Sequence, residues 1–130
     1  MSGVQKLYSD AGGKGTIPSI NFQHIPVNGY KDNMDNPQFY IMGENNEDSY
    51  HVKKNTGWFT ALKQTGSCKG VFFGHDHDNN KIIKLDGIYL GYGLQSGWFE
   101  GYAENSKKGG LLITLNNNGN VNLEQIVYND

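Results

Sequence analysis

The stretch VFFGHDHDN, residues 71–79, predicts both a fold class and a site. Its first three residues are wholly apolar, which is typical of a short strand that is buried on both faces. Gly74 ends this run, and His75 and His77 follow it. The two imidazoles therefore lie just beyond the carboxyl end of a predicted buried strand, where open α/β sheets place their ligands.

The pair formed by His75 and His77 is a candidate metal-binding site. Imidazole is the commonest metal ligand in proteins and binds in its neutral form near physiological pH. In extended backbone, side chains two residues apart point the same way, so both rings can face one site. Oxygen-bearing side chains make the loop polar, namely Asp76, Asp78, Asn79 and Asn80. The alternative interpretation is a polar turn that joins two strands.

A third histidine, His24, lies near the end of a predicted strand at Ile17–Ile25. Its side chain shares one face with the apolar residues of that strand at a spacing of two. Pro26 ends the strand because proline cannot donate a hydrogen bond to the ladder. If this strand neighbours the one at residues 71–73, the three imidazoles meet at one edge of the sheet. The alternative is a strand-end histidine whose hydrogen bonds are satisfied locally.

The chain between these two strands divides into a polar stretch and a short helix. Asn28–Lys54 is dominated by Asn, Asp, Gly, Tyr and Lys and is predicted to be a long loop, either functional or disordered. His51 belongs to it and is interpreted as an exposed loop histidine rather than a ligand. Asn55 or Thr56 is placed to cap a helix that runs to about Gln64 with apolar residues at three-to-four spacing.

Two hairpins are predicted after the histidines. Asp86 and Gly87 lie between two apolar runs, and an Asp-Gly pair in that position is a strong hairpin signal. The predicted strands are Lys81–Leu85 with Ile88–Tyr92, and Leu111–Leu115 with Val121–Val127. The resulting order is strand, loop, helix, strand and two hairpins, a strand-rich α/β class.

The overall size and composition bound the function. The 130 residues fit a single domain, residues 1–130, and Met1–Gly15 is predicted to be irregular. A net charge of −2, with no arginine, predicts neither nucleic acid nor a membrane as a partner. The single cysteine, Cys68, excludes an intrachain disulfide and is predicted to be a small buried apolar residue. Met1–Asp10 lacks the order of a signal peptide, and the cellular location stays open.

The histidine segments resemble those of a known family. GHDHDN, residues 74–79, is similar to the Gly-His-x-His signature of calcineurin-like metallophosphoesterases. IPSINFQHIP, residues 17–26, resembles the preceding histidine motif of that family, and Tyr30 follows at the usual distance. Further similar segments are Gly43, Glu47, Asn55–Gly57, Lys69–Phe73, Asp86–Leu90 and Tyr92–Gly93. The resemblance spans about Gly12 to Leu115 and favours the purple-acid-phosphatase-like branch.

The resemblance implies a fold, a site and an activity. The family fold is an αββα sandwich of two sheets with helices outside, and this chain would be its β-rich C-terminal half. The family site holds two metal ions, such as Fe, Zn or Mn, and hydrolyses phosphate esters. By this likeness His24 and His75 would bind one metal and His77 the other.

The chain departs from the family in its N-terminal motifs. The family's Asp-x-His or Asp-x-Gly, Gly-Asp and Gly-Asn-His motifs have no counterpart here. Asp10-Ala11-Gly12 has the letters of the first motif but lies only fourteen residues before His24. The bridging aspartate, the asparagine ligand and the proton-donating histidine are therefore missing, and no catalytic residue is identified. Three imidazoles would hold at most one zinc-like ion, at about 2.0–2.1 Å.

The expected function is metal-dependent hydrolysis of phosphate esters by an incomplete part of such an enzyme. Half of a sandwich exposes an apolar face, so a complementary N-terminal half or self-association is expected beside the phosphate-ester substrate. The alternative is a non-catalytic, β-rich metal-binding or interaction module derived from a phosphoesterase.

Overall fold

The structure is a computed structural model that describes residues 3–50, 52–98 and 106–128. Its elements in chain order are α1 (Gly3–Asp10), β1 (Ser19–Phe22), α2 (Tyr30–Asn33), β2 (Tyr40–Met42), α3 (Trp58–Thr65), β3 (Cys68–Phe73), β4 (Ile82–Leu85), β5 (Ile88–Tyr92), β6 (Gly109–Leu115) and β7 (Val121–Val127). The described residues therefore form a mixed α/β structure in which strands predominate.

Five strands form the main sheet, in the order β1-β3-β5-β4-β2. β1, β3 and β5 are parallel, whereas β4 runs antiparallel to both β5 and β2. β3 lies between two parallel neighbours, and its residues Val71, Phe72 and Phe73 are all buried. The wholly apolar run that predicted a strand buried on both faces is thereby confirmed.

The hydrophobic core contains Val71 and Phe73 of β3 together with Tyr92 of β5. Tyr30 of α2 is fully buried against them, and its ring meets those of Phe73 and Tyr92 edge to face at 5.2 and 5.6 Å between centroids. Its hydroxyl donates to the Lys81 carbonyl at 2.8 Å, which satisfies the one polar atom of the ring. This core fixes the carboxyl ends of β3 and β5, from which the candidate site projects.

The hairpin β6–β7 forms a second, two-stranded sheet. Leu111 and Ile113 of β6 line an open cavity of about 550 Å³ together with Phe22 and Phe72 of the main sheet. Isolated two-stranded sheets are marginally stable in water. Here a polar contact also joins the hairpin to the loop between β3 and β4, because Gln125 donates to the Asn80 carbonyl at 2.7 Å.

Two regions that were predicted to be irregular contain regular structure. Gly3–Asp10, within the predicted irregular residues 1–15, forms α1. The helix has no buried residue and is supported by a Lys6–Asp10 ion pair at 2.6 Å. Val4 and Leu7 remain largely exposed, so this helix packs no apolar stripe against the core.

The predicted loop Asn28–Lys54 also contains α2 and β2. β2 has only three residues and pairs with β4 at the edge of the main sheet. A strand this short shows too few residues for a period of two to be recognised. The prediction of one uninterrupted loop is therefore wrong, although much of the segment has no regular structure.

The predicted helix and hairpins are found close to their expected places. α3 begins at Trp58, and Gly57 with φ 79° occupies the N-cap instead of Asn55 or Thr56. The first hairpin turns at Asp86 and Gly87, both in the left-handed region that such two-residue turns require. β7 spans the predicted residues 121–127.

Cys68 is buried as predicted, and burial raises the pKa of its thiol. Among the helices of residues 3–50, 52–98 and 106–128, none combines the length and the apolar character of a membrane crossing.

Candidate functional site

His24 and His75 are brought together by the pairing of β1 with β3. The backbone ladder continues past both strands, because Gln23 N donates to Phe72 O at 3.0 Å and Gly74 N donates to His24 O at 3.3 Å. The two imidazole centroids lie 5.1 Å apart with an angle of 43° between the rings. The two strands are therefore neighbours, which was the condition for the histidines to meet, and two of the three predicted ligands lie in contact.

Asp76 lies between the histidines in sequence, and its side chain is directed into the protein. The carboxylate accepts hydrogen bonds from the Tyr92 hydroxyl and from the Tyr50 amide, the latter at 2.9 Å. Burial raises the pKa of this carboxyl, but the hydrogen bonds from Tyr92, the Tyr50 amide and His75 outweigh burial and hold the pKa below its usual value. Asp76 is thus a buried acceptor that remains ionised.

His75 has two aromatic neighbours, His24 and Tyr50, and one carboxylate neighbour, Asp76. Tyr50 stacks on its ring at 4.5 Å between centroids with an angle of 18°. The Nδ1 atom of His75 lies 3.0 Å from Asp76 Oδ1. About a third of the His75 side chain is exposed, so the imidazole stays accessible while one of its nitrogens is engaged.

The side chains of Asn79 and Asn80, which follow the histidines, bind the segment at residues 43–50. We refer to residues 74–80 as the histidine loop. Asn79 is fully buried, and its Oδ1 accepts the amides of Asn46 at 2.9 Å and Glu47 at 3.0 Å. Asn80 exchanges two hydrogen bonds with the backbone of Glu44, at 2.8 and 3.0 Å. These contacts, which we call the clamp, hold the histidine loop against residues 43–50.

Asp78 is also turned inward, with only 4% of its surface exposed. Its carboxylate accepts hydrogen bonds from the Ser106 hydroxyl and, at 3.4 Å, from Gln95 Nε2. Both carboxylates of the histidine loop are consequently engaged with protein donors.

The three predicted ligands line different cavities. His75 lines a cavity of about 660 Å³ with Lys31, Lys53 and Tyr50. His77 lines a smaller cavity of about 240 Å³ that includes Gln95. The expectation that both rings face one site rested on extended backbone, whereas residues 75–78 bend and turn. His51 lies outside the described residues.

The arrangement fits part of a metal centre. Two imidazoles bound to one ion at about 2.0–2.1 Å in tetrahedral geometry have ring centres about 5 Å apart, close to the separation of His24 and His75. No group of three or more His, Cys, Asp or Glu side chains that could hold an ion is found in the described part of the chain. Among the described residues, the separation of His24 and His75 would suit one ion, but no complete ligand set is present.

Sequence reasoning missed two aromatic residues that shape the site. Tyr50 stacks on His75, and Tyr92 donates to Asp76 from the end of β5. Tyr92 closes the second strand of a predicted hairpin, which is a usable signal because β5 is parallel to β3 and ends at the same edge of the sheet. Tyr50 belongs to the segment predicted to be loop and shows no pattern that points to the histidines.

The site places imidazoles at the carboxyl edge of a mixed sheet, and the sequence of this chain is similar to those of known plant proteins. The sequence is 35% identical over 89 residues to a protein from Arabidopsis thaliana named "Probable inactive purple acid phosphatase 14", a match covering 68% of this chain and 21% of that protein. It is 34% identical over 87 residues to "Probable inactive purple acid phosphatase 29" from the same plant, covering 62% and 20%. These matches support a purple-acid-phosphatase-like relationship.

The chain spans about a fifth of the length of these curated relatives. No protein-family model matches the sequence, and no solved structure matches it.

Proposed function

We propose that this chain corresponds to the C-terminal half of a calcineurin-like metallophosphoesterase domain, and that His24, His75 and His77 supply imidazole ligands to its metal centre. The contact between the His24 and His75 rings, 5.1 Å apart beyond two parallel strands, carries the proposal. The similarity to sequences named purple acid phosphatases supports it independently. In this proposal the main sheet is one half of an αββα sandwich.

The proposed activity is metal-dependent hydrolysis of phosphate esters. A bound Fe, Zn or Mn ion supplies a Lewis acid for a phosphoryl oxygen. His24 and His75 would bind such an ion through neutral nitrogens, and the buried Asp76 would keep its place as an acceptor for His75. The bridging carboxylate and the other oxygen ligands would come from residues outside this chain, so at most one ion is expected here.

Zinc titration by calorimetry tests the ligand assignment. The wild-type chain is expected to bind one ion, and His24→Ala is expected to weaken binding because it removes one of two adjacent imidazoles. The double variant His75→Ala, His77→Ala is expected to abolish it. His51→Ala removes the only other histidine and is the matched control. Equal zinc binding by the wild type and the double variant would contradict the proposal.

The second candidate function is a non-catalytic metal-binding or interaction module derived from a phosphoesterase. Both relatives carry the word "inactive" in their names, and the described residues gather no complete ligand set. Turnover of an aryl phosphate ester with added Mn, Fe or Zn separates the two functions. Turnover that disappears in the histidine variants supports the hydrolase, whereas zinc binding without turnover supports the module.

A complementary N-terminal half or a second copy of the chain is the proposed macromolecular partner. Phe22 is 69% exposed and lines the apolar cavity between the main sheet and the hairpin. Exposed apolar surface of this kind favours association. Sedimentation of the 14.5 kDa chain tests self-association. Phe22→Ser is expected to reduce it, whereas Val4→Ser, at a residue of similar exposure, is not. A chain that stays monomeric at all concentrations would exclude the second copy as partner.

A further inference from the structure

We propose that Lys69 and Lys84 form a second ligand site, which binds a phosphate group at the opposite end of the main sheet from the histidines. The site is a cavity of about 320 Å³ between the main sheet and the turn of the hairpin β6–β7. We call it the lysine cavity, and its polar lining includes the two lysines, Tyr89, Asn120 and Asn122. Its volume falls within the range of about 300–1,000 Å³ that is typical of small-molecule sites.

The lysine cavity lies at the amino ends of two parallel strands. Lys69 is the second residue of β3, and Tyr89 is the second residue of β5. The histidines, by contrast, follow the carboxyl end of β3 at Phe73. Four residues of extended backbone, at about 3.3 Å each, place Lys69 about 13 Å from that end. A small anion bound here is out of reach of the imidazoles, so this site does not rest on the proposed function.

A β-bulge brings Lys69 to the cavity. The pairing of β1 with β3 passes from Ser19–Cys68 to Ile20–Gly70, so Lys69 is an extra residue on β3. Bulges of this kind re-aim a side chain and are frequent beside functional sites. A Cβ on Gly119 would lie 3.8 Å from Lys69 Cε, which places the end of this half-buried side chain against the hairpin turn.

Lys84 reaches the cavity from β4 and is held there by an aromatic ring. Its Nζ lies over the ring of Tyr89, 4.6 Å from the centroid, and the ring face attracts the ammonium group. The register pairs Lys84 directly with Tyr89 across β4 and β5, so the two side chains are cross-strand neighbours. The ring therefore restricts the ammonium group of this exposed lysine to the wall of the cavity.

The two ammonium groups are not neutralised within the protein. In the described part of the chain neither forms an ion pair, whereas Lys31, Lys63 and Lys81 each bind a carboxylate. Asp86, the acidic residue nearest to the lining in sequence, is the partner of Lys63 at 2.9 Å. Two cations at one cavity repel each other, and an anion bound between them offsets that repulsion. Ammonium and asparagine amide groups both donate hydrogen bonds, which the oxygens of a phosphate group accept.

Titration of the ¹⁵N-labelled chain with inorganic phosphate, at neutral pH and constant ionic strength without metal, tests the site by NMR. We expect saturable shifts of the Gly87, Gly119 and Asn120 amide signals, while those of residues 74–80 stay constant. Lys69→Gln and Lys84→Gln are each expected to weaken binding about two- to fivefold and the double variant about tenfold, because a single exposed ion pair contributes little. Methyl phosphate, titrated in parallel, shows by the tighter binding whether the site favours the ester or the free anion.

Two variants serve as controls. Lys84→Arg keeps the charge and the contact with the Tyr89 ring, so it is expected to bind phosphate like the wild type. Lys14→Gln removes the same charge at an exposed lysine before β1 and is expected to leave binding unchanged. Unshifted amide signals of β3 in each variant confirm that the fold is retained.

Several outcomes would overturn the proposal. Wild-type affinity in the double variant would do so, and so would equal shifts with chloride in place of phosphate, which would indicate general screening of charge. Shifts confined to residues 74–80 would contradict the lysine cavity and place phosphate at the histidines, in line with the proposed function. Saturable binding at the lysine cavity of a chain that does not bind zinc would support this site and contradict the proposed function.

Discussion

Within the histidine loop, the oxygen-bearing side chains and the imidazoles differ in how the surrounding protein holds them. The oxygen-bearing side chains of Asp76, Asp78 and Asn79 are at least 93% buried and accept hydrogen bonds from the surrounding protein. The His75 side chain, by contrast, is a third exposed and lines an open cavity. One short segment therefore combines buried structural side chains, which include those of the clamp, with an imidazole that is partly exposed.

This difference shows that residue type alone does not identify a ligand. Carboxylates and amides beside a histidine pair resemble oxygen ligands, yet here they bind the backbone of residues 43–50 and the side chain of Tyr92. Buried polar groups are paired because an unpaired one costs about 1–3 kcal/mol. The clamp is expected to carry most of the loop's stability and the imidazoles little of it.

Gly43→Ala is expected to have the largest effect on the clamp. Gly43 has φ +80°, and a Cβ there would lie 2.1 Å from the Asn80 carbonyl oxygen. The substitution is therefore expected to lower the free energy of unfolding by about 3 kcal/mol, because it adds backbone strain and separates Glu44 from Asn80. Urea denaturation measures the loss.

The matched control is Gly110→Ala, since a Cβ at Gly110 meets nothing within 4 Å. Its effect is expected to stay within about 0.5 kcal/mol. Equal losses in the two variants would show that the close approach of Gly43 to Asn80 does not stabilise the loop.

Asn79→Ala is expected to cost somewhat less, about 2 kcal/mol in the free energy of unfolding. The variant removes the acceptor of the Asn46 and Glu47 amides, which then lose their protein partner. Asn122→Ala, an exposed asparagine on β7, is the control and is expected to be nearly neutral. A hydrogen-exchange measurement sharpens the test, because the amides of residues 46 and 47 should lose protection in Asn79→Ala while those of β3 keep it.

The central features of the fold were predictable from the sequence. The apolar run at residues 71–73 indicated a buried strand, and the Asp-Gly turn indicated the hairpin of β4 and β5. The contact between His24 and His75 was predicted on the condition that their two strands are neighbours, and the parallel pairing of β1 with β3 meets that condition. Local patterns of two or three residues were sufficient for the strand and for the hairpin.

The clamp was not predictable by the same reasoning. Asn79 accepts hydrogen bonds from the amides of Asn46 and Glu47, which lie 33 and 32 positions before it in the sequence. A backbone amide has no sequence signal of its own. The short strand β2 pairs with β4 across a similar separation and shows too little alternation. Long-range hydrogen bonds to the backbone depend on how the chain folds back, so polar residues that make them look like solvated loop.

His75→Ala is expected to have the smallest effect on stability, about 1 kcal/mol or less. The variant loses the stacking on Tyr50 and one hydrogen bond to Asp76, but the Tyr92 hydroxyl and the Tyr50 amide still satisfy that carboxylate. Urea denaturation without added metal measures it beside Asn79→Ala. A loss larger than that of Asn79→Ala would place the imidazole within the structural part of the loop and remove the distinction drawn between the two. A small loss would mean that the fold has little need of the His75 side chain, as expected of a loop residue whose side chain serves binding rather than packing.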